Sequence, residues 1–301
     1  MTAPVLSVVI PTHNRPAMLP EAVDSALVAC PAGAEIIVVD DRSRTAASDI
    51  LAGVGEGRLR VVPNTGPQGA SGARNTGVAA ARAELVLFLD DDDWLLPGYP
   101  SRVIEAAQGA VRPAFGFCAT EPLPAKARQR RTPGLVPGRS PLRRRLVPFS
   151  AGFWVRRELY LSLGGCDTAQ RVDEDTEFCC RLAARGLTPW YDPQPGVRLR
   201  TTAEHAERLT RATPGGDVVA CYRRTWDRHQ SSFAPYSEAR WHLAIRLIRC
   251  ALRTGHPEQA RAAIAAMQPV GLRAALWTVF QGKRIGRRLR GDGVPAGGQH
   301  A

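Results

Sequence analysis

Within the first hundred residues, nearly uninterrupted apolar runs alternate with segments of helical spacing. The runs are "VLSVVI" (5–10), "AEIIVVD" (34–40), "RLRVVP" (58–63) and "ELVLFLD" (84–90). Between them lie "RPAMLPEAVDSALVA" (15–29), "RTAASDILAGV" (44–54) and the small-residue stretch "GASGARNTGVAAARA" (69–83). A strand solvated on one face alternates apolar with polar residues, because successive side chains point to opposite faces. Runs that are apolar at nearly every position need cover on both faces, which parallel strands obtain from crossover helices. The expected fold is α/β, a mainly parallel, doubly wound sheet flanked by helices.

Open sheets of this kind bind ligands beyond the carboxyl ends of their strands. The residues there are "PTHNR", "DDRS", "NTGPQGASGARN" and "DDDDW". The four consecutive carboxylates Asp90 to Asp93 suit a hard divalent cation such as Mg2+ or Mn2+, which prefers carboxylate oxygens and keeps open positions for phosphate. If the strand continues, Asp90 and Asp92 share one side and Asp91 takes the other, while Asp93 begins the next turn. A solvated acidic turn is the alternative. Asp40 and Asp41 are open to two readings, a helix cap or recognition of a base or ribose. "GASGARN" fits neither G-x-x-x-x-G-K-[ST] nor G-x-G-x-x-G, yet Gly69 and Gly72 permit close backbone approach, and Arg74 and Asn75 can face a ligand. In "RVDEDTEFCCRLAARG", a helix expected over 173–186 carries Glu174 and Asp175 in its first turn. The helix dipole favours their ionised form, which suits either plain helix-end charge or a general base.

Beyond residue 113 the alternation loosens. A strand is expected at 114–120, a strand end running into a short glycine-closed helix at 150–165, and mostly helix over 217–290. The net charge of +12 is carried almost entirely by arginine. Its runs are local, at Lys126–Arg145 and in "GKRIGRRLR" (282–290), and lack interleaved aromatics, which ranks anionic substrates or lipid headgroups above nucleic acid. Seven scattered cysteines with no C-x-x-C pair read as reduced core thiols. No apolar run reaches 18 residues, so no spanning helix is expected. The N-terminal "MTAPVLSVVIPTHNR" has no basic n-region or signal core, and a cytoplasmic location is the default.

Four segments together, "SVVIPTHNRPAMLPEAVDSAL", "EIIVVDDRS", "GASGARNTGVAAARAELVLFLDDDDWLLPGY" and "GGCDTAQRVDEDTEFCCRLAARG", resemble the family 2 glycosyltransferases with the GT-A fold. The resemblance covers about 5–100 and 150–190. It implies a GT-A catalytic domain, expected over 1–215; a Pro/Arg-rich loop inserted at 121–148, a helical extension over 216–290 and a disordered tail at 291–301 are expected from the residues themselves. It implies a metal-dependent, inverting transfer from a UDP-, GDP- or dTDP-sugar to an acceptor hydroxyl, in glycan, polysaccharide or glycoconjugate synthesis. Thr12, His13, Asp40, Asp41 and Arg74 would lie near the base and ribose. Asp90 to Asp92 resemble the family's D-x-D motif, with Asp91 near the ribose and Asp92 on the diphosphate-bound Mg2+ or Mn2+. Asp175 resembles the catalytic base, with Glu174 beside it.

Two positions depart from the family pattern. Thr176 stands where many members have tryptophan after "ED", and "GVRLRTTAEHAERLT" has no histidine at the usual place unless His205 is brought there. The 121–148 stretch reads as a lid over the diphosphate or as a surface loop. Residues 244–290 combine arginines with Leu, Ile, Trp277 and Phe280, which suits helices packed with their arginines solvated. A helix at an anionic membrane surface, where a lipid-linked acceptor would be met on the inner face, is the second reading. Two other functions use a similar sheet. A nucleotidyltransferase would need G-x-x-x-R-x-x-x-x-K after the first strand, which "PTHNRPAML" lacks. A non-catalytic nucleotide-sugar-binding module would make no use of Asp175.

Overall fold

The computed structural model describes residues 3–55, 57–123, 145–200, 213–234, 237–265, 267 and 270–289. The chain divides into two compact units. Of the described residues, the first contains those up to 170 and from 174 to 200, and the second contains 171–173 and the helical residues from 213 onward. Most of the 121–148 stretch, His205 and the 291–301 tail lie outside the described residues.

The first unit runs β1 (Ser7–Thr12), α1 (Leu19–Ala29), β2 (Glu35–Asp40), α2 (Ala47–Ile50), β3 (Leu59–Pro63), α3 (Ala70–Ala80) and β4 (Leu85–Phe88). It continues through β5 (Trp94–Leu95), α4 (Tyr99–Gln108), β6 (Phe115–Leu123), β7 (Trp154–Arg156), α5 (Arg157–Ser162), α6 (Glu174–Ala184) and β8 (Trp190–Arg200). These strands form one sheet in the order β3-β2-β1-β4-β7-β6-β8-β5. The first four are mutually parallel, as the apolar runs required. The register aligns Thr12 with Asp40 and Asp40 with Pro63, so the polar residues at or just beyond the strand ends emerge along one edge. Beyond β4 the sheet is mixed: β7 is antiparallel to both β4 and β6, and β8 is parallel to β6.

The period of two along each strand feeds two cores. Val8, Ile10, Ile36, Val38, Leu85 and Leu87 face α1 and α4 through Leu19, Val23 and Val103. Val9, Ile37, Val39, Val86 and Phe88 face the opposite layer, with Val78 of α3 and the aromatics Phe149, Phe153, Tyr160 and Phe178. Phe88 and Phe149 stack with ring centroids 5.1 Å apart. All seven cysteines are buried thiols.

Gly77 lets α3 lie close on the sheet. A Cβ there would collide with Val9 Cγ1 and press on Val39 Cγ2, both on β-branched side chains locked in the core. Overpacking a core typically costs about 1–3 kcal/mol, against the roughly 1 kcal/mol that Ala gains over Gly in a helix. Gly77→Ala is expected to lower the urea midpoint.

Several elements differ from expectation. The helix expected at 44–54 is the single turn α2, because Gly53 (φ 80°) and Gly55 (φ 68°) take left-handed conformations that end it. The chain over 15–18 turns before α1, and Pro20 sits in the first helical turn, where its missing N–H is harmless. Helix α4 and strands β5 and β8 were not anticipated. In β8, "WYDPQPGVRLR" carries two prolines that cannot donate to a ladder. The pairing with β6 absorbs them by slipping register on either side of Ala119, from Cys118↔Asp192 to Ala119↔Pro195 and Thr120↔Val197.

The second unit holds α7 (Gly215–His229), α8 (Glu238–Arg253), α9 (Pro257–Ala265) and α10 (Val270–Leu289). Ser237 caps α8 by accepting a hydrogen bond from the Arg240 amide at 3.3 Å, and α8 buries Leu243, Leu247 and Ala251 at four-residue spacing. Among the described residues, no helix is long and apolar enough to cross a membrane.

Candidate active site

The acidic cluster follows β4, at the edge where the parallel strands end. The strand does not continue through it: the Asp93 amide donates to the Asp90 carbonyl at 3.2 Å, closing a turn. The turn separates the four carboxylates by partner. Asp91 goes to β1, where Thr12 Oγ1 donates to its Oδ2 at 2.7 Å. Burial pushes the Asp91 carboxyl up to about 7; the Asp92 charge adds to this, and the Thr12 hydroxyl opposes it. Asp90, Asp92 and Asp93 converge instead, with one carboxylate oxygen from each lying within 4.8 Å of the others. This all-oxygen set fits a hard divalent cation. Asp93, expected only to begin a turn, therefore belongs to the cluster. Its Oδ1 also accepts the Arg200 amide at 2.9 Å.

Arginines offset this charge. Arg74 of α3 is 5% exposed and bridges two elements. Its Nη2 donates to Asp90 Oδ1 at 2.9 Å, and its Nη1 to Glu174 Oε1 at 2.6 Å. Burial alone would favour losing its proton, but the Asp90 and Glu174 charges outweigh that and hold it ionised. Its guanidinium also lies over the Phe149 ring at 5.1 Å. Arg15 stands 3.6 Å from Asp92. Arg200 stacks on Trp94 at 4.1 Å and pairs with Glu21 at 2.6 Å. Arg15 and Arg200 were not identified from sequence: the first lies in a turn, and the second sits on the unanticipated β8.

At the ends of β2 and β3, the two expected acids do different work. Asp40 accepts the Ser43 and Ala47 amides at 2.9 Å each, which ties down the turn into α2. Burial pushes its carboxyl up, but these amides pull harder, leaving it below the ordinary carboxylate range. Asp41 is 5% exposed. It accepts Asn64 Nδ2 at 2.6 Å and the Gly69 amide at 2.7 Å, so it fixes the loop between β3 and α3. Asn64 completes the brace, donating to the Pro67 carbonyl at 3.0 Å and accepting from Gly66 and Thr76 at 2.9 Å each. It was missed because a lone Asn in a Gly-rich loop carries no periodic signal. His13 Nδ1 donates to the Asp41 carbonyl at 2.7 Å, and its ring stays exposed.

Glu174 and Asp175 occupy the first turn of α6. Asp175 Oδ1 accepts the Thr176 amide at 2.6 Å. The approach to this helix is clamped by the residue next to Arg74. Asn75 accepts the Cys166 amide at 2.8 Å and the Tyr160 hydroxyl at 2.7 Å, and donates to the Cys166 carbonyl at 2.9 Å. Asn75, expected to face a ligand, instead holds the turn at Gly164 (φ 82°) and Gly165 (φ 69°). Adjacent residues of α3 thus fix both the cluster's neighbour Glu174 and the chain that leads to it.

This fold has counterparts among solved structures. S. aureus TarS 1-349 in complex with UDP-GlcNAc superposes with a TM-score of 0.66 over 86% of this chain and 79% of that one, at 16% identity. The architecture is GT-A. Residues 7–152 match the family described as Glycosyl transferase family 2. A protein of Haemophilus influenzae named as an uncharacterized glycosyltransferase is 27% identical over 202 residues, 64% of this chain and 66% of its own length. A GalNAc(5)-diNAcBac-PP-undecaprenol beta-1,3-glucosyltransferase of Campylobacter jejuni is 36% identical over 121 residues, 39% of each chain. The chain thus spans from about four tenths to two thirds of the length of these two relatives. The matched segment, residues 7–152, is thus similar to the family 2 glycosyltransferases.

Proposed function

We propose that the protein transfers a sugar from a nucleotide-diphosphate sugar to an acceptor hydroxyl with inversion, in the synthesis of a glycan on a lipid-linked acceptor. The observation that carries this is the Asp90–Arg74–Glu174 chain, which joins the acidic cluster to the helix bearing Asp175. That bridge would hold a donor site and an acceptor base in one constellation. Thr12, His13, Asp40 and Asp41 shape the strand-end floor on which the nucleotide would lie, and Asp91 would meet the ribose. Asp92, with Asp90 and Asp93, would hold Mg2+ or Mn2+. That ion supplies Lewis-acid neutralisation of the departing diphosphate. Asp175 would take the proton of the acceptor hydroxyl as its oxygen bonds to the anomeric carbon and the bond to the diphosphate breaks.

A lipid-linked acceptor is favoured by the name of the Campylobacter relative, which specifies a PP-undecaprenol-linked glycan. It would place the enzyme at the cytoplasmic face of the inner membrane. UDP-, GDP- and dTDP-sugars are all candidates, and the UDP-GlcNAc bound by TarS makes UDP-sugars the first to try.

The test is thermal stabilisation by each nucleotide sugar with and without Mn2+. One sugar is expected to raise the melting temperature only when metal is present, and Asp92→Asn is expected to remove that shift. A protein that no nucleotide sugar stabilises in Mn2+ would overturn the donor assignment. Stabilisation without turnover on any acceptor would favour the binding-module reading.

A further inference from the structure

Helix α10 presents two apolar faces. One buries Leu276 and Phe280 completely. On the other, Val270, Trp277 and Ile285 are 58%, 41% and 57% exposed. With Ala274, these positions recur at steps of three, four and eight residues, which places them along one stripe of an α-helix. Beside the stripe, α9 and α10 enclose a groove of about 330 Å3 lined by Ile264, Val270 and Trp277, with Arg261 and Arg273 also on its walls. The helix itself carries Arg273, Lys283, Arg284, Arg287 and Arg288 and no acidic residue.

We propose that this stripe and groove are a docking surface for an anionic lipid bilayer. Charge complementarity chooses the occupant. A helix with only cationic charge and an exposed Trp between aliphatic residues matches the boundary between acidic headgroups and acyl chains, where an indole is favoured and each basic residue adds attraction. The helix is too polar to cross the membrane, so it would lie along the surface. The inference rests on, and deepens, the proposed use of a lipid-linked acceptor, because it names the part of the chain that holds the enzyme where such an acceptor is found.

The test is co-sedimentation of the full chain with vesicles of phosphatidylglycerol and phosphatidylcholine, and with phosphatidylcholine alone. Binding is expected only to the anionic vesicles. It should fall by about tenfold or more as salt is raised from roughly 0.05 to 0.5 M, since exposed charges are then screened within a few ångströms. Trp277→Ser/Ile285→Ser should weaken binding by about tenfold or more, because it removes the apolar insertion. Trp277 also stacks on Phe280 at 5.4 Å. Val270→Ser/Ile285→Ser therefore serves as a second variant that leaves the stack in place, and it should weaken binding in the same direction.

No sedimentation with anionic vesicles at low salt overturns the proposal, as does wild-type binding by both variants. A dimer, detected by light scattering and dissolved by both variants, assigns the face to a second copy and overturns it too. The nucleotide-sugar thermal shift is read on the same samples. Absent vesicle binding with the shift intact overturns the surface alone, whereas vesicle binding without any shift overturns the donor reading alone.

Discussion

Asp175→Asn is expected to abolish sugar transfer while leaving the Mn2+-dependent thermal shift by the donor intact. The asymmetry follows from where the residue sits. Asp175 lies in the first turn of α6 and not among Asp90, Asp92 and Asp93, whose carboxylates form the candidate cation site. Asn preserves the size of the side chain and a carbonyl that can accept the Thr176 amide, so the helix start should survive. What Asn lacks is a lone pair basic enough to take the acceptor's proton. General-base catalysis typically contributes about 10²–10⁴-fold, so the loss should appear in kcat. A fall of less than about tenfold, or a loss of the donor shift together with activity, would remove Asp175 from the role of base. Asp92→Asn is the complementary case, in which the shift itself should disappear.

Arg74→Met is expected to be the most destabilising single change in the site. Arg74 has both its ion-pair partners on other elements, Asp90 after β4 and Glu174 on α6. Removing it takes the shared cation from two partly buried carboxylates. Breaking a buried pair by deleting one partner costs about 3–5 kcal/mol. The partial exposure of Asp90, 28% by side chain, argues for the lower end, and urea unfolding would measure it. Arg74→Lys should recover only part of the loss, because an ammonium lacks the planar fork that spans two acceptors in different directions. Adding Glu174→Gln to Arg74→Met should restore some stability, since one unpaired charge is then gone. If Arg74→Met unfolds at the wild-type urea concentration, the Asp90–Arg74–Glu174 bridge is not holding α6 to the cluster.

The parts of the site differ in how far they can be read from the chain. The Asp90–Asp93 run is visible because it interrupts an apolar strand, and the strand-end rule turns that interruption into a ligand position. Glu174 and Asp175 are visible because acids gather in a helix's first turn. Asp40 was readable as a cap for the helix that follows, whereas the role of Asp41 in bracing the β3–α3 loop was not. Their partners, Asn64, Gly69, Ser43 and Ala47, are ordinary loop or helix-start residues whose importance lies in the hydrogen bonds they complete. Strand β8 escaped because two prolines and a glycine interrupt its strand pattern; the register slip against β6 makes room for them.

The amino-acid sequence alone determined the α/β class, the parallel core strands and the edge at which polar residues collect. Those follow from periodicity and turn chemistry, which act over a few residues. Long-range packing sets how the four neighbouring aspartates are divided. Asp91 is taken by Thr12, 79 residues away, and Arg74 ties Asp90 to Glu174, itself 100 residues from that arginine. Asp93 joins Asp90 and Asp92 because the chain turns after β4 instead of extending. Those pairings depend on where the sheet brings distant segments together, and burial then makes each satisfied charge worth keeping.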